Sequence, residues 1–209
     1  MKLTVVATFI AAASAVMGLG SMGHAASVVD EWASIKQPAP PVLKPVTVDK
    51  QTTALLMLDF MNQNCGKRPR CVAQIPAMKK LVEAARAAKV LVVYSLIANT
   101  TTADVIKDVA PQAGEPHVLS GPDKFFKTDL EKILTDKGIK TVIIVGTAAN
   151  GAVMFTANSA ALRGLNVIIP VDGMSAVDPF VELFTAVHMA TGPAISAKST
   201  LTRSDMIKF

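Results

Sequence analysis

The sequence predicts an α/β domain of three layers, with a mostly parallel sheet between two sets of helices. Two observations carry this. Short apolar runs bounded by turn residues alternate with segments of three/four periodicity, the alternation expected when helices connect parallel strands. The stretch Thr141–Gly164 then reads as an apolar strand (Thr141–Val145), a turn of small residues (Gly146–Gly151) and a helix (Ala152–Arg163) that stops at Gly164. A five-residue apolar run suits a strand buried on both faces. The helix's first N–H groups then lie at the carboxyl edge of a Rossmann-like sheet, where open α/β folds bind ligands.

The other elements follow in order. Thr53–Leu58 (TALLML) is the first buried strand and delivers Asp59 to the carboxyl edge, where a carboxylate either faces a pocket or caps the next loop. Gln74–Lys89 is a helix, because Ile75, Met78, Leu81, Val82 and Ala85 share one face. Val90–Tyr94 is the second strand, and the threonine-rich Ser95–Thr102 is a loop at the same edge. Ala103–Val109 is a helical turn stopped before Pro111, and His117–Leu119 a short third strand. Thr128 and Glu131 have capping-box spacing at the start of a helix Asp129–Lys137, which Gly138 ends. Val167–Val171 is the fifth strand, Asp178 caps a helix Pro179–Met189 with proline at its first position, and Ala194–Ala197 is a short last strand.

The amino terminus has a different character. Lys2, the apolar run Leu3–Val16 and the small residues around Gly23-His24-Ala25 form a signal-peptide pattern cleaved after Ala25. The apolar run falls short of the roughly 20 residues a membrane anchor needs. Cleavage leaves 184 of 209 residues, enough for one domain with a core, in a periplasmic or secreted protein free of the membrane. Residues 26–50 hold Pro38, Pro40, Pro41 and Pro45 and read as an extended arm before a domain at 51–209. Within the arm, Val28–Ile35 suits a short helix, leaving Trp32 and Ile35 to dock on the domain or on a second subunit.

Without Lys2 the chain has 20 basic and 16 acidic residues, a scattered excess. One Tyr and one Trp make no stacking platform, so nucleic acid is not an expected partner. Both cysteines fall in Cys65-Gly66-Lys67-Arg68-Pro69-Arg70-Cys71, a spacing for a small disulfide loop in an exported protein, with a free, reactive Cys65 as the alternative. After cleavage only His117 and His188 remain, with no second Cys/His pair, so no metal is expected. His188, on the last helix, reads as a packed or rim residue.

Asp59, the Lys124–Leu130 region and the Gly146 turn together resemble the isochorismatase-like superfamily, the cysteine hydrolases that include nicotinamidases and N-carbamoyl amidohydrolases. The resemblance runs from Val48 to about Ala197, through TTALLMLDF, FFKTDLEKIL with the following GIKTVIIVG, and GTAANGAV. It implies an Asp–Lys–Cys site without cofactor. A thiolate attacks a carbonyl carbon, the aspartate relays the proton, the lysine lowers the pKa of its partners, and N–H groups at the helix start hold the oxyanion. It also implies ligand contacts from Thr147, Ala148, Asn150 and Gly151, and a cis peptide bond around Thr147-Ala148.

This chain departs from that pattern at three points. Asp59 is present, but Met61 stands where the family usually has glutamine. The lysine is expected near Leu119 or Ser120; the nearest is Lys124, which either reaches Asp59 through a rearranged loop or is a solvated lysine before a helix. The nucleophile position is Ala152, whose methyl group cannot attack anything. The expectation is therefore an exported protein of this fold that has lost the cysteine mechanism and keeps a small-molecule pocket. The alternatives are an active hydrolase of amide, carbamoyl or enol-ether bonds, with Ala152 substituted for cysteine or Cys65 as nucleophile, and a non-enzymatic interaction module. A homo-oligomer is expected.

Overall fold

The computed structural model describes residues 27–209, so the expected signal peptide lies outside the described residues. The described chain falls into two units divided after Gln37. In the first, Ser27 caps a one-turn helix, α1 (Val28–Glu31), through a reciprocal pairing with Asp30, and Trp32–Ser34 continues it as a 3-10 turn.

The second unit begins at Pro38 rather than at residue 51, because the end of the proline-rich stretch is woven into the fold. Its elements are β1 (Val46–Thr47), β2 (Thr53–Leu58), α2 (Pro69–Ala87), β3 (Leu91–Leu96), β4 (His117–Leu119), α3 (Leu130–Asp136), β5 (Thr141–Thr147), α4 (Met154–Leu162), β6 (Asn166–Pro170), β7 (Met174–Ser175), α5 (Pro179–Thr191), β8 (Ser199–Thr202) and β9 (Ile207–Lys208). The main sheet has the order β4-β3-β2-β5-β6-β8, with β7 beside the end of β5, and every pairing in it is parallel. β1 and β9 form a separate parallel ribbon.

Alternation along the central strands divides the core. Leu56, Leu58, Val142 and Ile144 pack with α3, α4 and α5, whereas Leu55, Met57, Ile143 and Val145 pack with α2. These are the three layers the apolar runs predict, since strands covered on both faces need no polar positions.

Local chemistry explains where boundaries moved. α2 starts at Pro69, ahead of the expected Gln74, because proline is favoured at the first helical position. The Thr128–Glu131 capping box does not form: Thr128 Oγ1 accepts from Leu130 N (3.2 Å), Asp129 is the cap residue, and Glu131 instead pairs with Arg163 at 3.0 Å. Ala194–Ala197 is not a strand. The chain turns there, with Ala194 at φ 62°, and the last strand of the main sheet is Ser199–Thr202, which carries the β-branched Thr200 and Thr202. Asp178 does cap α5, accepting from Phe180 N at 2.7 Å. No helix among the described residues is long and apolar enough to cross a membrane.

Candidate active site

Strand register assembles the site. Leu58 on β2 lies opposite Ser95 on β3 and Gly146 on β5, so Asp59, Leu96 and Thr147 reach the carboxyl edge together. Gly146 has φ +150°, and a Cβ there would overlap the Leu58 carbonyl. Only glycine lets the two strands approach so closely at this level. Beyond Thr147 comes the cis Thr147-Ala148 bond, at the position the resemblance implies. A π-type turn (Ala149–Val153) with Gly151 at φ −120°, ψ −105° then leads into α4.

Asp59 ends β2 in a left-handed conformation (φ 59°) and is 5% exposed. Its Oδ1 accepts from Ser95 Oγ at 2.6 Å and its Oδ2 from Lys124 Nζ at 2.7 Å. Lys124 is not a solvated lysine: it is fully buried, and its Nζ also donates to Gly121 O at 2.8 Å. Its backbone N donates to Thr156 Oγ1 at 3.2 Å, fixing the loop against α4. The turn Ser120–Asp123 brings Lys124 back over the sheet edge, supplying the rearrangement that its displacement in sequence requires.

Burial acts on both members of the pair. It pushes the Asp59 carboxyl above the usual carboxylate range and the Lys124 ammonium below the usual lysine range, while each one's charge opposes the shift of the other. The opposed shifts bring the proton affinities of the two groups towards one another.

A cavity of about 350 Å³ opens over Asp59, with Lys124 buried behind it, and is lined by Asp59, Asn64, Arg68, Ile97, Ser120, Thr147, Ala148, Gly151 and Ala152 among others. Ala152 is 4% exposed and presents a methyl group in that lining. Of the expected ligand-contacting residues, Thr147, Ala148 and Gly151 line the cavity, whereas Asn150 is exposed and lies outside it. Met61 is buried in the α2-side core, also away from the cavity. The N–H groups of Gly151 and Val153 both donate to Ala148 O, at 3.0 and 3.2 Å, so these two serve the turn rather than an oxyanion.

Cys65 and Cys71 are buried and joined in a disulfide. No cysteine is free, so Cys65 offers no thiolate and the alternative of Cys65 as nucleophile falls. His188 bonds Asn158 Oδ1 at 3.1 Å and stacks on Phe184, a packed role. Among the described residues, no three His, Cys, Asp or Glu side chains gather into a metal site.

Ser95, Asn64 and Arg68 were not singled out by the sequence. A serine closing an apolar run beside the Asp59 strand is a usable signal for Ser95. Arg68 has none, because its place depends on how the disulfide loop folds back.

A parallel three-layer α/β fold with a buried carboxylate–ammonium pair beside a strand–turn–helix defines the class: a protein of the cysteine-hydrolase fold. The chain belongs to the isochorismatase family, with residues 53–198 matching the isochorismatase domain. It is 27% identical over 175 residues to the secreted isochorismatase effector Isc1 of Verticillium dahliae, a match covering 77% of this chain and 92% of the effector. Among solved structures, it is similar to a cysteine hydrolase from Pseudomonas syringae pv. phaseolicola (TM-score 0.69, 20% identity, covering 80% of this chain and 95% of that one). It is also similar to the N-carbamoylsarcosine amidase of Thermoplasma acidophilum (TM-score 0.63, 24% identity, 74% and 97%). At these identities the structural likeness speaks to the fold.

Proposed function

We propose that this is an exported member of the isochorismatase family that binds a small molecule over the Asp59–Lys124 pair without the family's thiolate chemistry. The observation that carries it is the methyl group of Ala152 in the wall of a cavity whose acid–base pair is intact. Acyl transfer through a covalent intermediate needs a nucleophile beside its base, and neither cysteine of the chain is free. The secreted effector among its relatives supports a periplasmic or secreted location, as does the leader pattern of the first 25 residues.

Two measurements test this. The wild type and Ala152→Cys are assayed on simple amides, carbamoyl compounds and enol ethers. Wild type is expected to show no turnover, and the variant to gain one thiol that reacts in the folded protein. Wild-type hydrolysis abolished by Asp59→Asn would establish an active enzyme and end the proposal. Terminal sequencing of the exported protein is expected to start at Ala26; a chain retaining Met1 would remove the leader from the argument.

A further inference from the structure

The charges in the cavity wall are unevenly satisfied. Asp59 and Lys124 neutralise each other at 2.7 Å, and Lys124 spends a second donor on Gly121 O. Arg68 differs. Its side chain makes one hydrogen bond, from Nη1 to Thr147 Oγ1 at 3.0 Å, and no carboxylate lies within salt-bridge distance among the described residues. A guanidinium has five N–H donors in a planar fork, so most of this one has no protein partner. It shares the cavity wall with Asp59. Arg70, two residues on, shows the contrast: it is engaged at both Nε and Nη2 by Glu182.

The mounting of Arg68 is equally specific. It lies within the loop closed by Cys65 and Cys71, both fully buried in the core. Its backbone is extended (φ −118°, ψ 106°), its N–H donates to Cys65 O at 2.9 Å, and Pro69 follows as the first residue of α2. The backbone on either side of the guanidinium is thereby tied down. The rest of the wall sets small or apolar residues (Ile97, Pro122, Ala148, Gly151 and Ala152) beside the polar Asn64 and Ser120. A carboxylate suits the fork, because it takes two parallel N–H bonds from an arginine, and the small and apolar side chains leave room beside it for a compact body.

We propose that Arg68 is the anion-recognising residue of the cavity, that the ligand is a small carboxylate with an apolar body, and that the Cys65–Cys71 disulfide holds Arg68 in place for it. This rests on the binding reading above and names the ligand class for the same site.

The test uses 4-fluorobenzoate and 4-fluorobenzamide, nearly equal in shape and different in charge, titrated by fluorine NMR into the intact oxidised protein. Wild type is expected to bind the carboxylate at least about tenfold tighter than the amide, the scale of one charge-assisted hydrogen bond. Arg68→Gln is expected to erase that preference, Arg68→Lys to keep part of it, and Arg70→Gln to leave it unchanged. Cys65→Ser/Cys71→Ser is expected to weaken carboxylate binding several-fold with the amide little affected. An undiminished preference in Arg68→Gln, or no carboxylate binding to wild type, overturns the assignment. Ala152→Trp, which fills the cavity, separates the two levels. If carboxylate binding survives it, the cavity reading itself fails; if binding is lost there and unchanged in Arg68→Gln, only the role of Arg68 fails.

Discussion

Replacing Lys124 by methionine removes the charge while keeping most of the side-chain volume, so the packing term is small. What remains is the electrostatic loss. Breaking a buried ion pair by removing one partner costs about 3–5 kcal/mol, mostly because the other charge is left uncompensated. The lower end applies here, since Ser95 Oγ still donates to Asp59 Oδ1 at 2.6 Å and the buried carboxyl can take up a proton. With a urea slope of about 2 kcal/mol per molar, a loss of about 3 kcal/mol lowers the unfolding midpoint by about 1.5 M.

The loss should also depend on pH. A carboxyl whose folded pKa is raised stabilises the fold below its unfolded pKa, near 3.9, and loses that contribution as pH rises through the folded value. Burial raises Asp59 already in the wild type, against the pull of Lys124. Without Lys124 the carboxyl rises further, so the deficit of the variant should be largest at neutral pH and shrink as pH falls towards about 4. Urea unfolding of both proteins at pH 7.5 and pH 5, with the disulfide intact, measures this. A deficit below about 1 kcal/mol at pH 7.5, or one equal at both pH values, would refute the buried-pair argument.

Two further outcomes are expected. Tyr94 is 1% exposed, and its hydroxyl donates to Val109 O at 2.8 Å while accepting from Arg86 at 3.0 Å. Tyr94→Phe should therefore cost about 1–2 kcal/mol and lower the melting temperature by several degrees, and an unchanged melt would show that the hydroxyl adds nothing. The homo-oligomer expected from the sequence predicts a light-scattering mass that is a multiple of the chain mass, and a monomer mass across the micromolar range would dismiss it.

What could be read from the sequence was set by local pattern. β2 falls at Thr53–Leu58 as expected because five apolar residues after Thr53 end at a charge, and that charge is Asp59. The strand–turn–helix around Gly146 was legible for the same reason, as were the proline and aspartate that start α5. Lys124 was not, because counting residues from Phe125 ignores the path of the Ser120–Asp123 turn, which returns the lysine to Asp59. Arg68 escaped notice because its neighbours in sequence, Lys67 and Arg70, look the same on paper. Only the buried disulfide and the bond to Thr147 set it apart. Asn150 shows the opposite error: it sits in the right segment, but the turn points it to solvent.

The missing side chain at Gly146 has a consequence for how this site can diverge. Asp59 and the turn after Thr147 grow from adjacent rungs of one ladder, Leu58 opposite Gly146, and the backbones touch there. The floor of the cavity is therefore a fixed gauge, set by the spacing of neighbouring strands, about 4.8 Å. On the binding proposed above, side chains at its rim such as Ala152 and Arg68 set what the cavity holds, and that floor stays in place beneath them. Chemistry can be lost or exchanged on such a base while the architecture stays the same, and a residue at position 146 larger than glycine would remove the base itself.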